Sequence, residues 1–137
     1  MKSNNYKLLF PFFIIFIITS LSCTKRPING LLDGRWQIME IEDKGEVSYV
    51  KDNKLYYNFS LHVCSLTGYG YVLTNGNLKY ENNTIWLDFP YGHSEEMRLK
   101  LQGYGIYKNP VTMEVEYLDR KKLILKEDDV IITLRRF

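Results

Sequence analysis

The sequence holds two histidines and two cysteines, and His62 and Cys64 stand two residues apart. On an extended strand, side chains at i and i+2 share a face, so this pair suits half of a metal site or a thiol activated by imidazole. Tetrahedral zinc takes three or four protein ligands, and the other histidine, His93, sits in a connection after Pro90. A Cys–His nucleophile also needs an orienting group and an oxyanion hole, and no spacing in the sequence supplies them. The more economical reading is a half-exposed histidine beside a small apolar cysteine, with no metal. Asp88, Glu95 and Glu96 are carboxylates of the type that cleaves glycosides. Acids at a strand end and a helix start, however, are ordinarily solvated or favoured by the helix dipole. The chain therefore reads as a non-enzyme with no catalytic residue and no cofactor.

The 11 tyrosines are the compositional feature most in need of explanation. A ring with a polar tip suits both a β core and a binding surface. Alternation puts Tyr57, Phe59, Leu61, Tyr71, Met113 and Val115 on inward faces, where they are expected to line an interior that holds a small apolar or amphipathic molecule. The same rings could instead fill the core. The loop 90–95, with Tyr91, Gly92 and His93, is placed to act as a mouth or, more simply, as an exposed connection.

Residues 1–7 are polar with Lys2 and Lys7 and no acid, and residues 8–18 are apolar apart from Pro11. This is the pattern of a signal-peptide core, too short for a spanning helix, which needs about 20 apolar residues. Ser20-Leu21-Ser22-Cys23 resembles a bacterial lipobox, although Leu stands two rather than three residues before the cysteine. The resemblance implies cleavage before Cys23 and diacylation of its sulfur, so the protein is held at a membrane without spanning it. Cys64 is then left without a partner, as a small buried apolar residue. After Cys23 come Thr24, Lys25 and Arg26 with no acid, which points to the periplasmic face of an outer membrane. The expected organisation is a leader at 1–22, a tether at 23–33 and one domain at 34–137.

With 45% hydrophobic and 25% charged residues the chain suits one globular domain. Removing Lys2 and Lys7 from the 18 basic residues leaves 16 against 16 acidic ones. A neutral chain lacks the footprint for a phosphate backbone, so nucleic acid is not an expected partner. Arg120-Lys121-Lys122 is followed by Glu127-Asp128-Asp129, a mixed-charge end from which no partner is inferred.

Period-two alternation dominates from Gly34 onward. It predicts strands at 34–42, 55–66, 69–73, 78–81, 84–89, 111–118, 122–126 and 130–136, with Asn75-Gly76 and Asn82-Asn83 as hairpin turns. Ser94 as cap, Glu95 and Glu96 in a first turn and Gly103 as a stop predict one short helix at 94–102. About eight regularly spaced strands resolve their edges by closing into a barrel or packing as a sandwich, and the barrel is the preferred form, just wide enough for side chains or one small ligand.

Gly34-Arg35-Trp36 at the first strand, Gly103-Tyr104-Gly105-Ile106 after the helix and the closing Leu134-Arg135-Arg136-Phe137 resemble the small lipocalin-like lipoproteins of gut-dwelling Gram-negative bacteria. The resemblance implies an all-β, up-and-down lipocalin-like barrel in which Trp36, next to Gly34, packs across the closed end beneath Arg136. It also implies a lipid-anchored, non-catalytic module that binds a small ligand or envelope component. The alternative is a filled barrel that docks onto another envelope protein as an accessory or inhibitor subunit.

Overall fold

A computed structural model describes residues 27–68 and 70–137, with Tyr71 by its backbone only. The expected leader, Cys23 with its expected acylation and the first part of the expected tether lie outside the described residues. Nine strands follow in up-and-down order: β1 (Gly34–Asp43), β2 (Glu46–Tyr49), β3 (Tyr56–Ser60), β4 (Val63–Gly68), β5 (Tyr71–Glu81), β6 (Thr84–Asp88), β7 (Val111–Leu118), β8 (Lys122–Glu127) and β9 (Val130–Arg136). One helix, α1 (Glu95–Gln102), lies between β6 and β7. Every strand pairing is antiparallel, and β9 pairs back onto β1, so the sheet closes. β2 and β3 lie on the same edge of β1, against residues 40–43 and 34–37. They act as one strand interrupted at 50–55, and the closed form is an eight-stranded barrel.

Closure makes the pleat decide which side chains are inside. Trp36 and Ile38 of β1, Tyr57 and Phe59 of β3, Cys64 and Leu66 of β4, Met113 of β7, Leu123 and Leu125 of β8, and Ile132 and Leu134 of β9 are all almost fully buried. In β1 the register shifts between Ile38 and Glu40, so the next inward residue is Ile41 rather than Glu40. Such a bulge re-aims a strand without breaking closure.

Three sequence expectations change. The run 55–66 is not one strand, because Leu61 adopts φ 54° and turns the chain with His62, so Tyr57 and Phe59 pair with Leu66 and Cys64 across a hairpin. The turn moves Leu61 and Val63 from the expected inner face to the surface. Asn75-Gly76 is not a turn either, and β5 runs straight through it. The ring of Phe89 lies where a Gly76 Cβ would sit, with both Cδ1 and Cε1 2.7 Å from that position. Glycine there admits the neighbouring ring. Finally, the short β2 carries no buried residue, so no core-facing alternation announces it. The Asn82-Asn83 turn forms as expected, with φ of 50° and 56°, as does the helix, whose Ser94 hydroxyl accepts from Met97 N.

Gly76→Ala is expected to destabilise the barrel by about 1–3 kcal/mol through overpacking against Phe89. Urea denaturation followed by tryptophan fluorescence measures it. A change within about 0.5 kcal/mol means that the ring does not constrain this position.

Candidate functional site

The barrel has two unlike ends. At one, the strand connections are the Leu61-His62 turn, the Asn82-Asn83 turn and the 119–121 turn, joined by the chain entering through a 3-10 turn at Gly30–Leu32 and by the C-terminus. This end is sealed. Trp36 is fully buried and its indole N–H donates to Leu32 O at 2.8 Å. The Arg136 guanidinium stands over the indole at 4.8 Å and donates to Leu31 O and Asp33 O at 2.8 and 2.7 Å. Its Nη2 lies 2.9 Å from where a Gly34 Cβ would be, and Gly34 has φ 137°, so both space and backbone call for glycine. Arg136 thus stands against both Trp36 and Gly34.

The centre of the barrel is occupied by side chains. Tyr57, Phe59, Met113 and Val115, expected to line a ligand space, all belong to the buried core. The Tyr57 ring lies 5.7 Å from Phe59 and 6.3 Å from Tyr104, and its hydroxyl donates to Tyr104 O at 2.8 Å. Burial holds that phenol well above its ordinary pKa, so it acts as a neutral donor. Leu61 is the correction: it is 57% exposed in its turn, at the sealed end. The side chain of Tyr71 lies outside the described residues.

A cleft opens at the other end. It encloses about 500 Å³ between the β1–β3 rim, the start of β5 and the inner side of α1. Ile41, Val50, Leu55, Leu73, Leu99 and Tyr104 supply its apolar wall, and Ser48, Asn53, Lys100, Gln102 and Tyr107 its polar groups. Tyr107 is bonded to Asp43, and burial together with that carboxylate raises its pKa. Lys100 pairs with Glu96 at 2.6 Å along the helix. Thr74, next to Leu73, buries a hydroxyl that has no hydrogen-bond partner among the described residues. Sequence reasoning missed this cleft because its wall is assembled from residues distant in sequence, on β1, β5, α1 and the connections between them. The signal within the sequence is Gly103-Tyr104-Gly105, a ring flanked by two residues without side chains.

The candidate chemical groups are not brought together. His62 is exposed in the 61–62 turn while Cys64 is fully buried on β4, and burial pushes the Cys64 thiol well up, away from thiolate. His93 lines a separate indentation with Arg98 and Lys108. Glu95 and Glu96 lie in the first turn of α1, where the helix dipole favours them, and Asp88 ends β6. Among the described residues no three His, Cys, Asp or Glu side chains gather as metal ligands.

Two outcomes are expected. Trp36→Ala loses about 3–5 kcal/mol of stability, and Arg136→Gln about 1–2 kcal/mol from the lost cation–π contact and carbonyl bonds; urea melts measure both. In a Cys23→Ser chain, a thiol reagent at pH 8 leaves Cys64 unlabelled until denaturant is added. The native thiol stays protonated above its ordinary value of 9.0 while the unfolded one ionises, so this group's contribution to stability falls as pH rises past about 9. Rapid native labelling contradicts the burial.

Comparison with known proteins agrees with this architecture. A lipocalin-like protein from Bacteroides uniformis ATCC 8492 superposes with a TM-score of 0.67 at 22% identity, over 79% of this chain and 100% of its own. A protein of undescribed function from Bacteroides eggerthii DSM 20697 does so at 0.61 and 19%, over 77% of this chain and 98% of its own. At these identities the likeness concerns the fold. No curated protein matches. The family described as "Lipocalin-like domain" matches residues 16–137, and by that match, with a closed barrel sealed by Trp36 and Arg136, the chain belongs to the lipocalin-like domain family.

Proposed function

We propose that this chain is a non-catalytic envelope lipoprotein, acylated on Cys23 at the periplasmic face of an outer membrane, whose barrel mouth binds a small amphipathic molecule. The observation that carries the binding reading is the cleft of about 500 Å³ at the end opposite the seal. That size falls within the range of small-molecule sites, and an apolar wall with a few convergent polar groups is their usual chemistry. An apolar body would lie against Leu55, Leu73 and Tyr104 while a polar head meets Lys100, Gln102 or Tyr107. Tyr57, Phe59, Met113 and Val115, first expected as lining, belong to the packed core and do not border this cleft.

The packed centre favours a second reading to the extent that it removes a deep cavity: the barrel then docks on another envelope protein through its outer surface.

Native mass spectrometry of the tagless soluble domain from its host's periplasm is expected to retain a small-molecule adduct. Failure to retain any adduct under gentle conditions favours the docking reading. In vitro, an environment-sensitive naphthalene dye is expected to bind the wild-type chain and to lose at least tenfold in affinity in Leu73→Arg/Leu99→Arg, with the unfolding midpoint nearly unchanged. Equal binding by both proteins places the dye elsewhere and removes the cleft. Intact-mass measurement of the membrane fraction reads the acyl chains on Cys23 directly.

A further inference from the structure

The sealed end of the barrel carries a surface that the binding reading does not use. Arg35, Arg120, Lys121, Lys122, Arg135 and Arg136 all lie on the first or last residues of strands, or in the turn, at that end. Among the described residues none of the six forms an ion pair with a carboxylate. The acids nearby are engaged locally. Asp33 accepts from Asn29, and Asp119 accepts from the Lys121 and Lys122 amides and the Tyr117 hydroxyl. At the mouth, by contrast, Glu95 and Glu96 start α1, and Glu127, Asp128 and Asp129 sit at the β8–β9 turn. From Thr24 onward 16 basic residues balance 16 acidic ones. Although Lys44, Lys51, Lys54 and Lys100 also lie toward the mouth and Glu81 toward the sealed end, those acidic residues gather at the mouth and the basic cluster at the sealed end.

Apolar side chains accompany the basic ones. Ile28 is 60% exposed, Phe137 67% and Leu61 57%, and Leu31 is also exposed. The entry segment is tied to this end: Asn29 Nδ2 donates to Leu61 O at 2.8 Å, and Arg136 donates to Leu31 O at 2.8 Å. Phe137 lies against Arg35 at 4.9 Å. The chain also enters here. Pro27 is the first described residue, with Lys25 and Arg26 just before it and Cys23 four residues upstream. At about 3.3–3.6 Å per extended residue, that stretch spans at most roughly 15 Å.

From this juxtaposition we propose that the sealed end of the barrel rests on an anionic lipid surface, with Arg120, Lys121 and Lys122 against headgroups, Ile28, Leu31 and Phe137 at the interface, and the mouth facing away from the membrane. The proposal deepens the anchored reading and rests on it for placing the chain at a membrane. Attachment by acyl chains sets distance, and the basic and apolar surface sets orientation. Each Lys or Arg near an anionic surface contributes about a fivefold factor in partitioning, weakened by salt. A few such residues beside exposed apolar side chains give binding without insertion.

The test uses the unacylated chain beginning at Thr24, which contains every strand of the closed sheet, and co-sedimentation with vesicles of phosphatidylcholine alone or with about 30% phosphatidylglycerol. The wild-type chain is expected to bind the anionic vesicles preferentially and to release as salt rises. Arg120→Gln/Lys121→Gln/Lys122→Gln is expected to lower partitioning by about a hundredfold. Lys44→Gln/Lys51→Gln/Lys54→Gln, which removes the same charge at the mouth, is expected to bind as wild type does. Circular dichroism confirms that both variants fold, and Ile28→Ser/Phe137→Ser, which leaves charge intact, is expected to weaken binding as well. Equal losses in the two charge variants, or equal binding to both vesicle types, overturns the proposal. A chain found without acyl groups on Cys23 removes the anchor but leaves this assay unaffected, so the two readings fail separately.

Discussion

The pairing of β9 back onto β1, from Trp36 against Arg136 to Asp43 against Val130, is the constraint on which the rest of the molecule depends. A twisted sheet of this many strands with open edges presents unpaired amides and carbonyls, whereas closure satisfies them and gives every strand an inside. The buried indole beneath Arg136 seals one end of that inside. The guanidinium ties the entry segment to the last strand through the Leu31 and Asp33 carbonyls. The cleft walled by Leu55, Leu73 and Tyr104 lies at the opposite rim.

Interior volume explains why the site moved outward. An eight-stranded barrel is just wide enough for its own side chains, and this one is supplied with large ones: Trp36, Tyr57, Phe59 and Phe89 are all essentially inaccessible. The segment after α1 then folds Tyr104 and Ile106 over the interior, with the Tyr104 carbonyl receiving the Tyr57 hydroxyl. The cleft forms where that cover meets the β1–β3 rim. Cys64 belongs to the same filling, and its burial raises the thiol's pKa.

The two ends divide labour physically. The sealed end is tied to the entry segment through Arg136, carries a cluster of basic residues and is edged with exposed apolar groups, while the mouth is concave and mixes acids with lysines. An asymmetric distribution of this kind within a chain of balanced charge orients the molecule in a field without giving it non-specific affinity for polyanions at large.

Much of this is legible in the residues themselves. Strict alternation at 111–118, 122–126 and 130–136 identifies the last three strands because each buries one face and solvates the other, and local capping identifies the helix through Ser94 and Gly103. The closure by Trp36 and Arg136 is legible only through the family resemblance, since local spacing does not bring the first and last strands together. What the chain alone leaves undecided is where contacts distant in sequence override local preference. Asn75-Gly76 has the strongest turn chemistry in the sequence, yet it lies within a strand because the Phe89 ring occupies the space that glycine leaves. Leu61 has poor turn chemistry yet turns, which reverses the facing of every residue after it in that run. The cleft, the filled centre and the basic end are likewise tertiary facts: each is assembled from turns and strand ends brought together by closure, and local sequence spacing carries no record of which ends meet.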